Sequence, residues 1–271
     1  IWLLVRLFNR KPQKKNRLWI FWMTLLVWII AFFMMIFSGI RLGTSDLSNY
    51  EDFYMTNGSN SVLEKEPETI ISEPRQVSDF NSIYVEKAVK VELTQKDSCS
   101  VRVFADVNHI ANVTTEVKDS VLYITNNTKN STKVELSMPN IKSIIADNAS
   151  KINGENIKGK DVEIQLNGAS KADFDLIVES LTLHIGQASK AEIEGNSERL
   201  FLLANGVSKA DLENFKVQNA DVSVHSASKV KIWVVDSLKT NLSGASKLKY
   251  KGFPLISSTA KDMSHIENDN N

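Results

Sequence analysis

"NGASKADFDLIVESLTLHIGQASKAEIEGNSERLFLLANGVSKADL", residues 167–212, repeats one phrase three times: Ala-Ser-Lys at 169–171, Ala-Ser-Lys at 188–190 and Val-Ser-Lys at 207–209. Outward from this stretch the same serine recurs as Ser150, Ser170, Ser189, Ser208, Ser228 and Ser246, in steps of 20, 19, 19, 20 and 18 residues. A fixed period near twenty is the mark of a solenoid, whose units bury their apolar faces only by stacking on one another.

Alignment on that serine tests the idea, because stacked coils place like residues in columns. Before the motif the inward columns are Ile144, Ile164, Leu183, Leu202, Val222, Thr240 and Ala146, Leu166, Ile185, Ala204, Val224, Leu242. After it they are Ile152, Ala172, Ala191, Ala210, Val230, Leu248 and Gly154, Phe174, Ile193, Leu212, Ile232, Tyr250. Both strands alternate with period two, and no unit has room for a helix, which excludes leucine-rich and ankyrin-type repeats. A third, less regular side is expected from Ile157, Leu176, Phe215 and Trp233, with Gly195 leaving it thin.

The architecture expected is all-β: a parallel β-helix of 18–20-residue coils over residues 79–257. Roughly nine coils would give a rod of about 43 Å at the spacing of hydrogen-bonded strands. A shallower β-roll or an open parallel stack is the alternative. Phe253, Pro254 and Leu255 are expected to cap the C-terminal end, and residues 258–271 to form a disordered tail.

With 32 basic and 32 acidic side chains among 271 residues, the chain carries no overall charge bias, and nucleic acid is not an expected partner. The single cysteine, Cys99, excludes an internal disulfide and any CxxC motif. It shares a face with Val101 and is expected to be an inert, packed thiol. No cofactor and no metal site is expected.

Residues 18–37, LWIFWMTLLVWIIAFFMMIF, run for 20 residues without a charge, long enough as a helix to cross a bilayer. The expected transmembrane helix spans 18–42, with the lipid bilayer as partner through residues 18–37. Arg10, Lys11, Lys14, Lys15 and Arg17 precede it, so the positive-inside rule puts the basic side in the cytoplasm. Residues 1–17 read as the end of an earlier membrane helix and a basic cytoplasmic loop, or else as a short interfacial helix. Residues 43–78 read as a polar linker. The β-helix then lies outside the cytoplasm.

Three longer stretches carry a resemblance: DFNSIYVEKAVKVELTQKDSCSVRVFADVNHIANVTTEVKDSVLYITN (79–126), VELSMPNIKSIIADNASKI (134–152) and the later Gly-Ala-Ser-Lys turns. They resemble the bacterial family called the putative auto-transporter adhesin head GIN domain, a domain of unknown function. The resemblance implies a right-handed β-helix in the cell envelope without assigned catalytic residues. A membrane anchor in front of it resembles proteins that begin with a phage-shock-protein-C domain. The localisation that follows is the bacterial cytoplasmic (inner) membrane, with the β-helix outside.

Alternation points the motif serines inward, where Ser150, Ser170, Ser189, Ser208, Ser228 and Ser246 form a structural ladder passing hydrogen bonds between coils. Gly168, Gly206 and Gly244 allow the corner before them. The lysines point outward, as one row of Lys151, Lys171, Lys190, Lys209, Lys229 and Lys247. Two residues on run Asn153, Asp173, Glu192, Asp211, Lys231 and Lys249, so acids neutralise the central coils while Lys231 and Lys249 double the charge at the last two. One reading is a solvated face that keeps the rod soluble. The other is a cationic stripe, most basic from Lys229 to Lys251, that binds an anionic polysaccharide or another envelope protein through repetition. Phe201 and Leu203 face outward on the other strand.

An enzyme of the polysaccharide-degrading kind would use Asp173, Glu192 and Asp211, which lie in line. Each has a lysine beside it, the turns look too short for a cleft, and His109, His184, His225 and His265 share no motif. The expected function is therefore non-enzymatic adhesion or binding, with envelope sensing or scaffolding as the alternative.

Overall fold

The computed structural model describes residues 69–130 and 132–270. The expected anchor at 18–42, the segment 1–17 and most of the linker 43–78 lie outside the described residues. Among those residues no helix is long and apolar enough to cross a membrane. The fold is an all-β solenoid, and Glu66–Asn271 forms one compact unit that closes its own core.

Five long strands wind through successive coils: β9 (Lys151–Leu166), β10 (Lys171–Ile185), β11 (Lys190–Ala204), β12 (Lys209–Val224) and β13 (Lys229–Leu242). Each pairs in parallel with the next, and the register is the one the serine alignment predicts: Ala172↔Ala191, Ala191↔Ala210, Ala210↔Val230 and Val230↔Leu248. All four inward columns are buried except at Tyr250, which packs partly buried against the core from the last coils. Alternation alone is enough to build this, because a parallel strand that slipped by one residue would expose its whole apolar set.

About seven turns follow one another along the chain, from β8 (Ser143–Ala146) to β16 (His265–Asn268). Two further layers precede them in swapped order. The first coil, β2 (Ser82–Glu86) with β3 (Val89–Gln95), lies directly against β8 and β9. The second coil, β6 (Val121–Asn126) with β7 (Thr132–Met138), stacks outside the first. The motif face thus has nine parallel strands, in the order β7-β3-β9-β10-β11-β12-β13-β14-β16, with β14 at Lys247–Lys251.

The swap leaves chain between the two coils to build a cap. There β4 (Ser100–Asp106) runs antiparallel to β7, β5 (Val113–Lys118) antiparallel to β6, and β1 (Ile70–Arg75) antiparallel to β4. Pro74, Glu73 and Arg75 on β1, and Glu116 and Lys118 on β5, carry the charge and the missing donor that discourage further pairing. Cys99 packs against the core beneath this cap, within 3.5 Å of both the N–H and the carbonyl of Phe80.

Three expectations change. First, Phe253 and Leu255 do not cap the C-terminal end: they are 90% and 82% exposed. The chain instead adds one more coil, β15 (Leu255–Ala260) on β13 and β16 on β14, so strands occupy what was expected as a disordered tail. This coil stays exposed because, among the described residues, no strand lies beyond it. Second, Trp233 is not part of the third side's buried column. Ile157, Leu176 and Phe215 are buried there, but β13 omits the residues that would oppose Glu213 to Phe215, so Trp233 pairs with Lys216 and faces solvent while Val234 turns inward.

Third, Gly195 is more than a thin place. Its φ is +110°, and a Cβ there would lie 2.0 Å from the Leu176 carbonyl oxygen. The close packing of two coils requires glycine at this corner.

Candidate functional site

The exposed face of the nine-strand sheet carries the candidate site. Its first column, in spatial order, reads Lys133, Lys90, Lys151, Lys171, Lys190, Lys209, Lys229 and Lys247, and ends on His265. Sequence alignment on the serine missed Lys133 and Lys90, since neither follows the Ser-Lys phrase. Their signal was the strand pattern itself, Lys-Val-Glu-Leu, which occurs at 90–93 and again at 133–136.

Two residues on runs a second column: Glu135, Glu92, Asn153, Asp173, Glu192, Asp211, Lys231, Lys249 and Glu267. Strand alternation aims both columns at the same side, so the two lanes touch. Lys133 meets Glu135 at 2.7 Å, Lys90 meets Glu92 at 2.8 Å and Lys209 meets Asp211 at 3.3 Å, while Lys190 pairs with Glu192. Exposed pairs of this kind contribute up to about 1 kcal/mol each, and their main effect is on the field the face presents.

The expected excess of positive charge from Lys229 to Lys251 is reduced by acids of neighbouring coils. Glu213, at a bulge of β12, accepts from Lys231 at 2.7 Å and also pairs with Lys251. Lys249 reaches Asp269 at 3.0 Å, and Lys247 pairs with Glu267. Hydrogen bonds from Lys231 and then Lys251, outweighing partial desolvation, hold the Glu213 carboxyl down at about 2. The same hydrogen bond raises Lys231 above its ordinary value, and the bond to Asp269 raises Lys249. The last coil supplied two of these acids, Glu267 and Asp269, from the segment expected to be disordered.

Among the described residues, Lys151, Lys171 and Lys229 are the row members without a carboxylate within ion-pair distance. Lys151 is left so because Asn153 takes the acid's place beside it, its amide donating to the Glu92 carboxylate at 3.3 and 3.4 Å. What the face offers is a basic lane beside an acidic lane, with three uncompensated ammonium groups in the basic one.

The motif serines are buried as expected, but their ladder is discontinuous. Ser208 donates to Ser228 at 3.0 Å, and the Ser189 hydroxyl accepts the Ser170 backbone N–H at 3.1 Å. The hydroxyls of Ser150, Ser170 and Ser246 meet no partner among the described residues. Backbone bonds from coil to coil, such as Lys171 N–H to Ser150 carbonyl at 2.9 Å, carry the stacking. Gly168, Gly206 and Gly244 take positive φ at the corner, yet Asn148, Gln187 and Ser226 take it too.

Beside the acidic lane there is a concavity of about 790 Å³, lined in part by Glu92, Asn153, Glu155, Asp173, Asp175 and Glu194. The short turns were expected to leave no cleft, but the bulge between Phe174 and Leu176 opens this one. Burial pushes Glu92 up, and the hydrogen bond and charge of Lys90 with the Asn153 amide outweigh it, holding the carboxyl below its ordinary value. A general acid needs the opposite displacement. Among the described residues no group of histidine, cysteine and acidic side chains is arranged to hold a metal ion.

Solved structures with this fold include a putative adhesin from Bacteroides fragilis, 20% identical, with a TM-score of 0.69 over 75% of this chain and 98% of that one. A putative lipid binding protein from Parabacteroides distasonis is 15% identical, with a TM-score of 0.58 over 74% and 97%. A putative adhesin from Parabacteroides merdae is 16% identical, with a TM-score of 0.57 over 74% and 96%. At these identities the likeness concerns the fold. No curated protein matches the chain. The family whose profile matches residues 79–254 is described as "Putative auto-transporter adhesin, head GIN domain", and the chain belongs to it.

Proposed function

We propose that this chain is a non-enzymatic binding protein of the cell envelope, whose solenoid contacts an anionic polysaccharide along the lysine row. Residues 18–42 anchor it in the cytoplasmic membrane, with the basic segment before them inside and the solenoid outside. One observation carries the ligand reading: eight lysines stand in register on one exposed sheet face. An extended polymer can lie along such a row and meet several charges at once, so weak contacts add through avidity. Lys151 and Lys171, on adjacent strands, and Lys229, three strand spacings or about 14 Å further, are the points where a ligand carboxylate displaces no protein partner.

The test is binding of a polyuronate across a salt series, with Lys151, Lys171 and Lys229 changed to Gln together and, separately, the paired Lys190 and Lys209. Affinity that falls with salt and with the first triple change, and much less with the second pair, supports the reading. Affinity indifferent to salt and to both sets overturns it. The orientation is tested by a phosphatase fusion after residue 271, active only if that end lies outside the cytoplasm.

A further inference from the structure

The third side of the last coils carries a feature that the lysine row does not explain. Trp233 lies in register between Lys216 and Lys251 on the neighbouring coils, and is 38% exposed. The Lys216 ammonium stands 5.5 Å from the centre of the indole. Beside the ring is a concavity of about 540 Å³, with Phe253 on its rim and Asn270 and Asp269 on its wall. Gly252 shapes it: with φ at +97°, this residue brings the chain so close to β13 that a Cβ would meet the Val234 carbonyl oxygen at 2.0 Å.

The polar groups there divide into two kinds. Lys251 is held by Glu213, Asp269 by Lys249, and the Asn270 amide is engaged with the Gly252 backbone at 2.7 and 2.8 Å. Lys216, exposed to solvent, has only the indole for company among the described residues. The site thus combines a flat apolar platform, a second aromatic at its rim, and one uncompensated cation directly over the platform.

We propose that this concavity binds one acidic sugar residue of a polyuronate, resting on the reading above that the solenoid recognises anionic polysaccharide. A pyranose has an apolar C–H face and a hydroxyl-bearing edge, the same division that an aromatic ring with polar neighbours presents. The C–H face stacks on the Trp233 indole, with the Phe253 ring closing the rim, and the uronate carboxylate pairs with Lys216. The cation over the ring selects the charged sugar: a neutral one gains the stacking and leaves the ammonium unmatched.

Tryptophan occurs at positions 2, 19, 22, 28 and 233, so in the self-contained unit 66–271 Trp233 is the only one, and its fluorescence reports this site alone. That unit is titrated with hexagalacturonate and with cellohexaose, followed by fluorescence and by calorimetry in parallel. The expected result is a saturable fluorescence change with the uronate at least tenfold tighter than with the neutral sugar. K216Q weakens uronate binding about tenfold and W233A at least as much, while W233F largely restores it, with circular dichroism unchanged in each. Calorimetric binding with no fluorescence change, abolished by the change of Lys151, Lys171 and Lys229, overturns this site and leaves the lysine-row reading standing. A fluorescence response that survives that change retains the pocket and removes the row. Equal affinity for both sugars overturns the assignment of an acidic ligand, and no binding by either measurement overturns both readings.

Discussion

The Lys231 ammonium lies 2.7 Å from the carboxylate of Glu213, a residue of the preceding coil, so the coils are joined by side-chain charge as well as by backbone bonds. This pair and its companion Lys251 depress the Glu213 carboxyl from the ordinary 4.5 to about 2. A carboxyl lowered in the folded state contributes stability that is complete above its unfolded value and is lost as pH falls toward its folded value. The melting temperature is therefore expected to fall between about pH 4.5 and pH 2, and Glu213→Gln to flatten that part of the curve. Thermal melts of both proteins across this range check it, and parallel curves would remove Glu213 from the account.

Gly195→Ala places a Cβ 2.0 Å from the Leu176 carbonyl oxygen at a residue whose φ is +110°. Backbone strain and overpacking then act together, and the loss is expected to be about 3 kcal/mol or more. Chemical denaturation measures it. A change below about 1 kcal/mol would show that the corner shifts freely between coils.

Two buried serines of the same motif are expected to respond differently to alanine. Ser208→Ala leaves Ser228 without its 3.0 Å partner and should cost about 1 kcal/mol. Ser170→Ala removes a hydroxyl that meets no partner, and should be neutral or slightly stabilising. Equal losses in paired denaturation curves would mean that both hydroxyls are satisfied alike.

The last coil presents β15, Leu-Ile-Ser-Ser-Thr-Ala, as an edge with no charge and no proline. Such an edge pairs readily with other strands. Lysine at Ser257 and Thr259, whose partners Lys239 and Asn241 face outward, is expected to lower concentration-dependent association without changing the melting temperature appreciably. Sedimentation of the 66–271 unit at several concentrations tests it, and association unaffected by the two lysines would place it elsewhere.

Much of the solenoid was legible as residue pattern. The period near twenty, the four inward columns, the buried serines and the outward lysines all follow from alternation, which depends only on the pleat of the strand. Partner choice is different, because it depends on what lies across a coil boundary. The Lys-Val-Glu-Leu pattern of Lys90 and Lys133 does not say which coils they stack on, and nothing in Glu213 says that it reaches into two later coils. Both were settled by the stacking of strands far apart in sequence.

Trp233 shows the same division inside one strand. The sequence put Trp233 on the inward third side, but the shortened coil, two residues tighter than the bulged β12 beneath it, turned Val234 in and the indole out. The swapped order of the first two coils and the pairing of β15 and β16 onto β13 and β14 are likewise products of assembly. By itself the sequence determined which face of each strand is buried, since that is a property of neighbouring residues. Which coil lies on which, and therefore which charges are matched and which stand free, was decided only by the tertiary structure, because hydrogen-bonded edges accept any strand whose pattern fits and only the packed whole selects one.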